Sequence, residues 1–275
     1  MKKALCLFEG IGSSKNVLES MGYEVVCVEI EKKYNPTILS NIMEWNYKDS
    51  IYNPNDFDII TASPVCLYWS ILRNTWIGRK CKKIHPTEII TKQHILDDIN
   101  KRGKPMVDKT LEIIDYFKPK YWWIENPNGS LMWKYINEKY NHLNFETYIF
   151  DYCKYADYGF KKPTRFITNY TRVTTLRCNK DCESIITIKT EMKEQKIHCG
   201  RMGTSKTIKT EEGKIIRCNS KVLREKYKDY QNIQQKIPKS FSLIGRIIGG
   251  STKEERYRIP PKIIKELLKP IQMSL

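Results

Sequence analysis

A chain of 275 residues with 40% hydrophobic residues is long and apolar enough to bury a core without disulfides, which argues against disorder, and no uncharged apolar run approaches the roughly 18–20 residues of a membrane span. Nine cysteines, an odd number in a long chain, argue against a secreted disulfide framework and for a reducing compartment, cytoplasmic or nuclear. A net charge of +17, from 48 basic and 31 acidic residues, favours a polyanionic partner, although a lysine-rich genome would give the same total.

Residues 4–8 and 24–30 are short apolar runs on either side of Gly10, Gly12 and a helical spacing of Val17, Leu18 and Met21. They predict a strand, a glycine turn, a helix and a second strand. The start, MKKALCLFEG, breaks at Glu9 and reads as that first strand rather than as a signal peptide. Apolar runs at 57–62 and 121–125 predict two more strands, ending at Ser63-Pro64 and at Asn126-Pro127. Between them Met106, Leu111, Ile113, Ile114 and Phe117 predict a helix over 106–117, with Pro119 marking its exit. Strands alternating with helices imply an α/β fold with a doubly wound, mostly parallel, Rossmann-like sheet, which 145–152 and 164–169 would close as an antiparallel hairpin.

Past residue 170 the apolar runs shorten and Lys and Thr rise. The expected organisation is a catalytic domain over 1–170, a small basic domain over 171–235 with a hairpin at 207–216, and a C-terminal helical segment over 236–275. That last segment, with Pro260-Pro261 before Ile263, Ile264, Leu267 and Leu268, is expected to pack back on the first domain.

Ligands bind at the carboxyl ends of strands in such sheets, and five candidate sites fall there. Phe8-Glu9-Gly10-Ile11-Gly12 lets backbone approach a ligand, although a glycine turn serves structure as readily. Glu29, at the end of the second strand, stands where an acid can bind the hydroxyls of a ribose, and also where any exposed carboxylate can stand. Cys66, in Ser63-Pro64-Val65-Cys66-Leu67-Tyr68-Trp69-Ser70, is a candidate nucleophile, against the inert packing role of most lone cysteines. Glu125 in Glu125-Asn126-Pro127 is a candidate acid for protonating a ring nitrogen, or a helix cap, beside Cys66 if the two strands are neighbours. Arg165 follows Lys161-Lys162-Pro163-Thr164 on the proposed hairpin.

The ordered series of Phe-x-Gly-x-Gly, a strand-end Glu, Pro-x-Cys-x-x-Trp-Ser, Glu-Asn-Pro, Asp157-Tyr158-Gly159 with a following Arg, and a final Ile-Pro-Pro helix resembles the cytosine-C5 DNA methyltransferase family, especially its short viral and phage-type members. The resemblance implies S-adenosylmethionine lying over Phe8, Gly10 and Gly12, with Glu29 on its ribose, Asn41 and Ile42 beside its adenine, and Ser63 and Pro64 on the cofactor side. It also implies Cys66 as the nucleophile at C6 of a flipped-out cytosine in double-stranded DNA, Glu125 as the acid at N3, and Arg165 as a residue holding the base. A cognate restriction endonuclease is a further implied partner. Methylation of RNA, such as tRNA, and a non-catalytic nucleic-acid-binding role are the alternatives. The chain departs from the family in having Val65 before the cysteine, Glu-Asn-Pro for Glu-Asn-Val, and a single arginine at 165, so the register of Arg165 is open by one residue.

In the small domain Cys178-x3-Cys182, His198, Cys199 and Cys218 offer ligands for a structural zinc, with only one of the adjacent His198 and Cys199 expected to bind. Unlinked cysteines in a lysine-rich sheet are the alternative. No catalytic metal is expected. Tyr227, Tyr230 and Gln231, with nearby basic residues, are candidates for phosphate and base contacts. The charge excess is uneven: residues 171–275 hold 24 basic and 11 acidic residues, and 73–104 hold 9 and 3. Those are the two surfaces expected to clamp a duplex.

Overall fold

The computed structural model describes residues 2–81, 84–156, 161–183, 185–190, 193–198, 206–209, 215–218 and 258–273. In chain order the first nine strands are β1 (Lys3–Leu7), β2 (Glu24–Glu29), β3 (Ile38–Leu39), β4 (Ile59–Ala62), β5 (Lys80–Cys81), β6 (His85–Ile89), β7 (Tyr121–Pro127), β8 (Glu146–Asp151) and β9 (Pro163–Thr168). Seven of them form one sheet in the order β3-β2-β1-β4-β7-β9-β8. The pairs β2–β3, β1–β2, β1–β4 and β4–β7 are parallel, and β9 runs antiparallel to β7. This is the α/β class expected from the alternation of strands and helices. The chain builds outward from β1 in one direction through β2 and β3 and in the other through β4 and β7, so the switch in order falls beside β1, where such sheets open a crevice.

The central strands read as unbroken apolar runs because both of their faces are covered. All four residues of β4, and Ala4, Leu5, Cys6 and Leu7 of β1, are buried. Helix α1 (Ser13–Ser20) buries Val17 and Leu18, and α3 (Lys104–Phe117) buries Val107, Leu111, Ile114 and Phe117 at helical spacing. The left-handed Lys118, φ 46°, stops α3. A C-terminal helix, α4 (Pro261–Gln272), begins at Pro261 and packs against α1, burying Ile263, Ile264, Leu267, Leu268 and Ile271. Phe117 closes an aromatic cluster with Trp45, Tyr47 and Phe57.

The segment after Cys66 is built of short, closely spaced elements. It folds into 3-10 turns at Cys66–Trp69 and Ile71–Trp76, the β5–β6 ladder, α2 (Lys92–Asp98) and a π-turn at Ile99–Gly103. Arg73, fully buried, forms an ion pair with buried Asp98, which also meets His85 Nε2 at 2.9 Å. Trp69 lies so close to Gly103 that a Cβ there would come within 2.9 Å of the indole, so only glycine fits.

Two compact units divide the chain, one of Met1–Phe150, Pro163–Thr175 and Pro261–Leu275, the other of Asp151–Lys162 and Leu176–Pro260. The second unit therefore draws Asp151–Lys162 out of the stretch expected to be catalytic, and it extends past 235. It contains two antiparallel hairpins, β10 (Ile185–Thr190) with β11 (Lys193–His198), and β12 (Lys206–Lys209) with β13 (Ile215–Cys218). The latter is the hairpin expected at 207–216. Asp157, Tyr158, Gly159, Tyr227, Tyr230 and Gln231 lie outside the described residues.

Candidate active site

The turn after β1 is built on positive backbone angles. Phe8 has φ 60°, Gly10 54° and Gly12 78°, and the two glycines occupy a region that L side chains rarely adopt. Phe8 itself packs on the core. Between them Glu9 turns inward and accepts hydrogen bonds from the N–H groups of Ser14 and Lys15, satisfying donors that the start of α1 leaves without helical partners. Burial pushes the Glu9 carboxyl up to about 7, although those two hydrogen bonds pull it down.

Glu29, at the end of the neighbouring β2, faces the same turn. Its Oε2 accepts from Gly10 N–H at 3.0 Å, and its Oε1 from Ile30 N–H at 2.8 Å and Glu31 N–H at 3.1 Å. A carboxylate has about four acceptor positions, so one remains for a ligand hydroxyl. Gly10, Gly12 and Glu29, with Lys15, Asn16 and Tyr34, line a cleft of ≈ 150 Å³. That is smaller than the roughly 300–1,000 Å³ of a pocket enclosing a whole small molecule and suits a sugar-sized part of one. An added Cβ on Gly10 would meet nothing within 4 Å, which leaves the backbone open to a ligand.

Asn41, Ile42, Ser63 and Pro64 are not among the residues that line this cleft. Ile42 is 5% exposed and belongs to the hydrophobic core. Asn41 binds Glu44 through Nδ2 and the Met43 N–H through Oδ1, closing its own turn. Ser63 N–H continues the β1–β4 ladder by donating to Leu7 O, and Pro64 is buried beneath the following turn.

Cys66 and Glu125 sit at the ends of adjacent parallel strands. The last β4–β7 pair is Ala62 with Ile124, so Glu125 is the next residue on one strand and Cys66 opens the first turn beyond the other. Asn126, 1% exposed, fastens the two ends together by donating from Nδ2 to Pro64 O at 2.7 Å. Leu131 N–H donates to Trp69 O at 3.0 Å on the far side of the cysteine turn. Arg165 lies opposite Asn126 in the β7–β9 register, whereas Glu125 lies opposite Phe166. Its Nε donates to Asn128 Oδ1 at 3.2 Å, its guanidinium stacks 5.4 Å from the Trp133 ring, and burial lowers its pKa.

No spacing in the sequence marks Glu9 or Asn128 as positioning groups, and the tie from Asn126 to a proline carbonyl has none that would announce it.

No family model matches this chain. Along 270 residues, 97% of this chain and 98% of the other, it is 29% identical to a Frog virus 3 (isolate Goorha) protein named "Probable DNA (cytosine-5)-methyltransferase". The similarity to that viral protein runs from end to end of both chains. Among solved structures it is similar to the Entamoeba histolytica methyltransferase EhMeth, with 17% identity over 67% of this chain and 58% of that one and a TM-score of 0.45. It is also similar to the S. pombe Dnmt2 methyltransferase, with 14% identity over 64% and 52% and a TM-score of 0.38. The chain matches little more than half the length of those two structures.

Proposed function

We propose that this protein is a DNA methyltransferase that transfers a methyl group to C5 of a flipped-out cytosine, with Cys66 as nucleophile and Glu125 as acid. The observation that carries the reading is the adjacency of β4 and β7, which brings a cysteine and a carboxylate past neighbouring strand ends, with Asn126 bonded across to Pro64. The end-to-end similarity to the viral protein supports cytosine in DNA as the substrate.

The cleft by Gly10, Gly12 and Glu29 fits a nucleoside cofactor: its backbone is open at Gly10, and the fixed Glu29 carboxylate keeps one acceptor position for a sugar hydroxyl. These residues would hold S-adenosylmethionine, which supplies an electrophilic methyl group when bound.

C5 of cytosine is a poor carbon nucleophile. A Cys66 thiolate adding to C6 forms a C–S bond and pushes the ring electrons toward C5, while the Glu125 carboxyl holds a proton at N3 and so stabilises the ring as charge builds there. Once C5 is methylated, its proton leaves to water, the C6–S bond breaks and the thiolate returns. Because C6 is inaccessible in a stacked pair, the base has to leave the duplex.

The test is methyl transfer from labelled S-adenosylmethionine to duplex DNA, to RNA and to neither, together with trapping on a duplex containing 5-fluorocytosine. Labelled DNA, and a covalent adduct that Cys66→Ala abolishes, are expected. Turnover by Cys66→Ala, or label in RNA alone, would overturn the assignment.

A further inference from the structure

In the second unit Cys153, Cys178, Cys182 and His198 come together from three separate stretches of chain, with their ligand atoms all within 4.8 Å of one another. We propose that these four residues bind one structural zinc ion as a closed Cys3His site.

The donor set is the first argument. Three sulfur atoms and one imidazole nitrogen are the ligands of a tetrahedral zinc centre, and with four protein ligands no position is left for catalysis. None of the three cysteines is in a disulfide, and Cys153, Cys178 and His198 are buried, at 7%, 3% and 6% exposure. With Zn–S about 2.3 Å and Zn–N about 2.0–2.1 Å, tetrahedral angles place sulfur and nitrogen about 3.5 Å apart. Cys178 Sγ and His198 Nε2 are 3.5 Å apart.

The surrounding backbone is arranged for the same end. The Cys178-x3-Cys182 turn passes through Lys180 at φ 64°, and Asp181 Oδ1 accepts from Asn179 N–H at 3.0 Å. Asp151, two residues before Cys153 and fully buried, accepts from Cys178 N–H at 2.7 Å and so holds the two cysteine segments side by side.

This ligand set differs from the one expected from spacing. Cys153 supplies the fourth ligand that had been assigned to Cys218, and His198 is the member of the His198-Cys199 pair that faces the cluster. Cys199 and the Cys218 side chain lie outside the described residues.

Metal analysis of the full chain purified without chelator should find about one zinc per chain, and X-ray absorption at the zinc edge should show three sulfurs and one nitrogen in the first shell. Less than about 0.2 zinc per chain, or a shell dominated by oxygen and nitrogen, would overturn the site. Cys153→Ser should lose the zinc or return it with one sulfur fewer, and an unchanged three-sulfur shell would remove Cys153 from the set. The absorption measurement on the unmodified chain decides the proposal even where that variant does not fold.

Discussion

Arg165 and Asn126 face each other across the antiparallel pair of β7 and β9, and because directly opposed residues of such a pair project to the same face, Arg165 lies on the side of the sheet that Asn126 occupies and not on that of Glu125. Asn128 Oδ1 fixes the guanidinium there from one end and the Trp133 ring from beneath.

Arg165→Ala is expected to lower kcat by about 10- to 100-fold while leaving the dissociation constant for S-adenosylmethionine unchanged. Asn128→Ala should reproduce part of that loss, and the double variant should be no worse than Arg165→Ala alone, since the two residues act as one unit. Strictly additive losses in steady-state assays would show that Asn128 does not position the arginine.

Asn126→Ala removes the buried bond to Pro64 O. Leaving that carbonyl without a donor should cost about 1–3 kcal/mol in urea unfolding. The greater effect is on geometry: a displacement of about 1 Å between the ends of β4 and β7 should lower the rate of adduct formation with 5-fluorocytosine about 100-fold. Wild-type trapping by Asn126→Ala would mean that strand pairing alone aligns Cys66 and Glu125.

The Glu9 carboxyl titrates near 7 in the folded chain against an ordinary 4.5, because it is buried. The folded state therefore holds this proton between about pH 4.5 and 7 while the unfolded state has released it, so the contribution of Glu9 to stability is present below about 4.5 and is lost as pH rises through 7. Urea midpoints measured from pH 5 to 8 should fall more steeply for the wild type than for Glu9→Gln. Parallel curves would show that the Ser14 and Lys15 N–H groups keep the carboxylate ionised throughout.

Breaking the buried Arg73–Asp98 pair should be costly, since removal of Arg73 leaves the buried Asp98 carboxylate with only His85 Nε2 at 2.9 Å and the half-exposed Arg102 at 3.7 Å. Arg73→Met is expected to lose about 3–5 kcal/mol of stability, with amide exchange accelerating first between residues 70 and 103. Protection unchanged in that segment would mean that Trp69 and Gly103 hold it without the ion pair. Arg73 is also unavailable to phosphate, so the basic excess of this segment rests on its other cations.

The parts of the fold legible in the sequence were those governed by local pattern. The runs at 4–8, 24–30, 57–62 and 121–125 became β1, β2, β4 and β7 because strands covered on both faces must be apolar throughout. The helix expected at 106–117 begins two residues earlier, at Lys104, where the π-turn hands over directly. β3, two residues long, carries no readable period. The Arg73–Asp98 pair leaves no mark in the sequence, because its partners are 25 residues apart. Cys153 follows β8 with no second cysteine near it in the chain, so only the folded backbone reveals its neighbours.

The second unit is threaded twice. The chain leaves the first unit after Phe150, re-enters at Pro163, leaves again after Thr175 and returns at Pro261. The unit is an insertion in two pieces, so neither end of the chain can be trimmed to remove it. A graft of residues 176–260 between relatives would move Cys178, Cys182 and His198 and leave Cys153 behind. Chimeras meant to exchange the second unit must therefore transplant both pieces together, with the short 151–162 segment travelling alongside the long one.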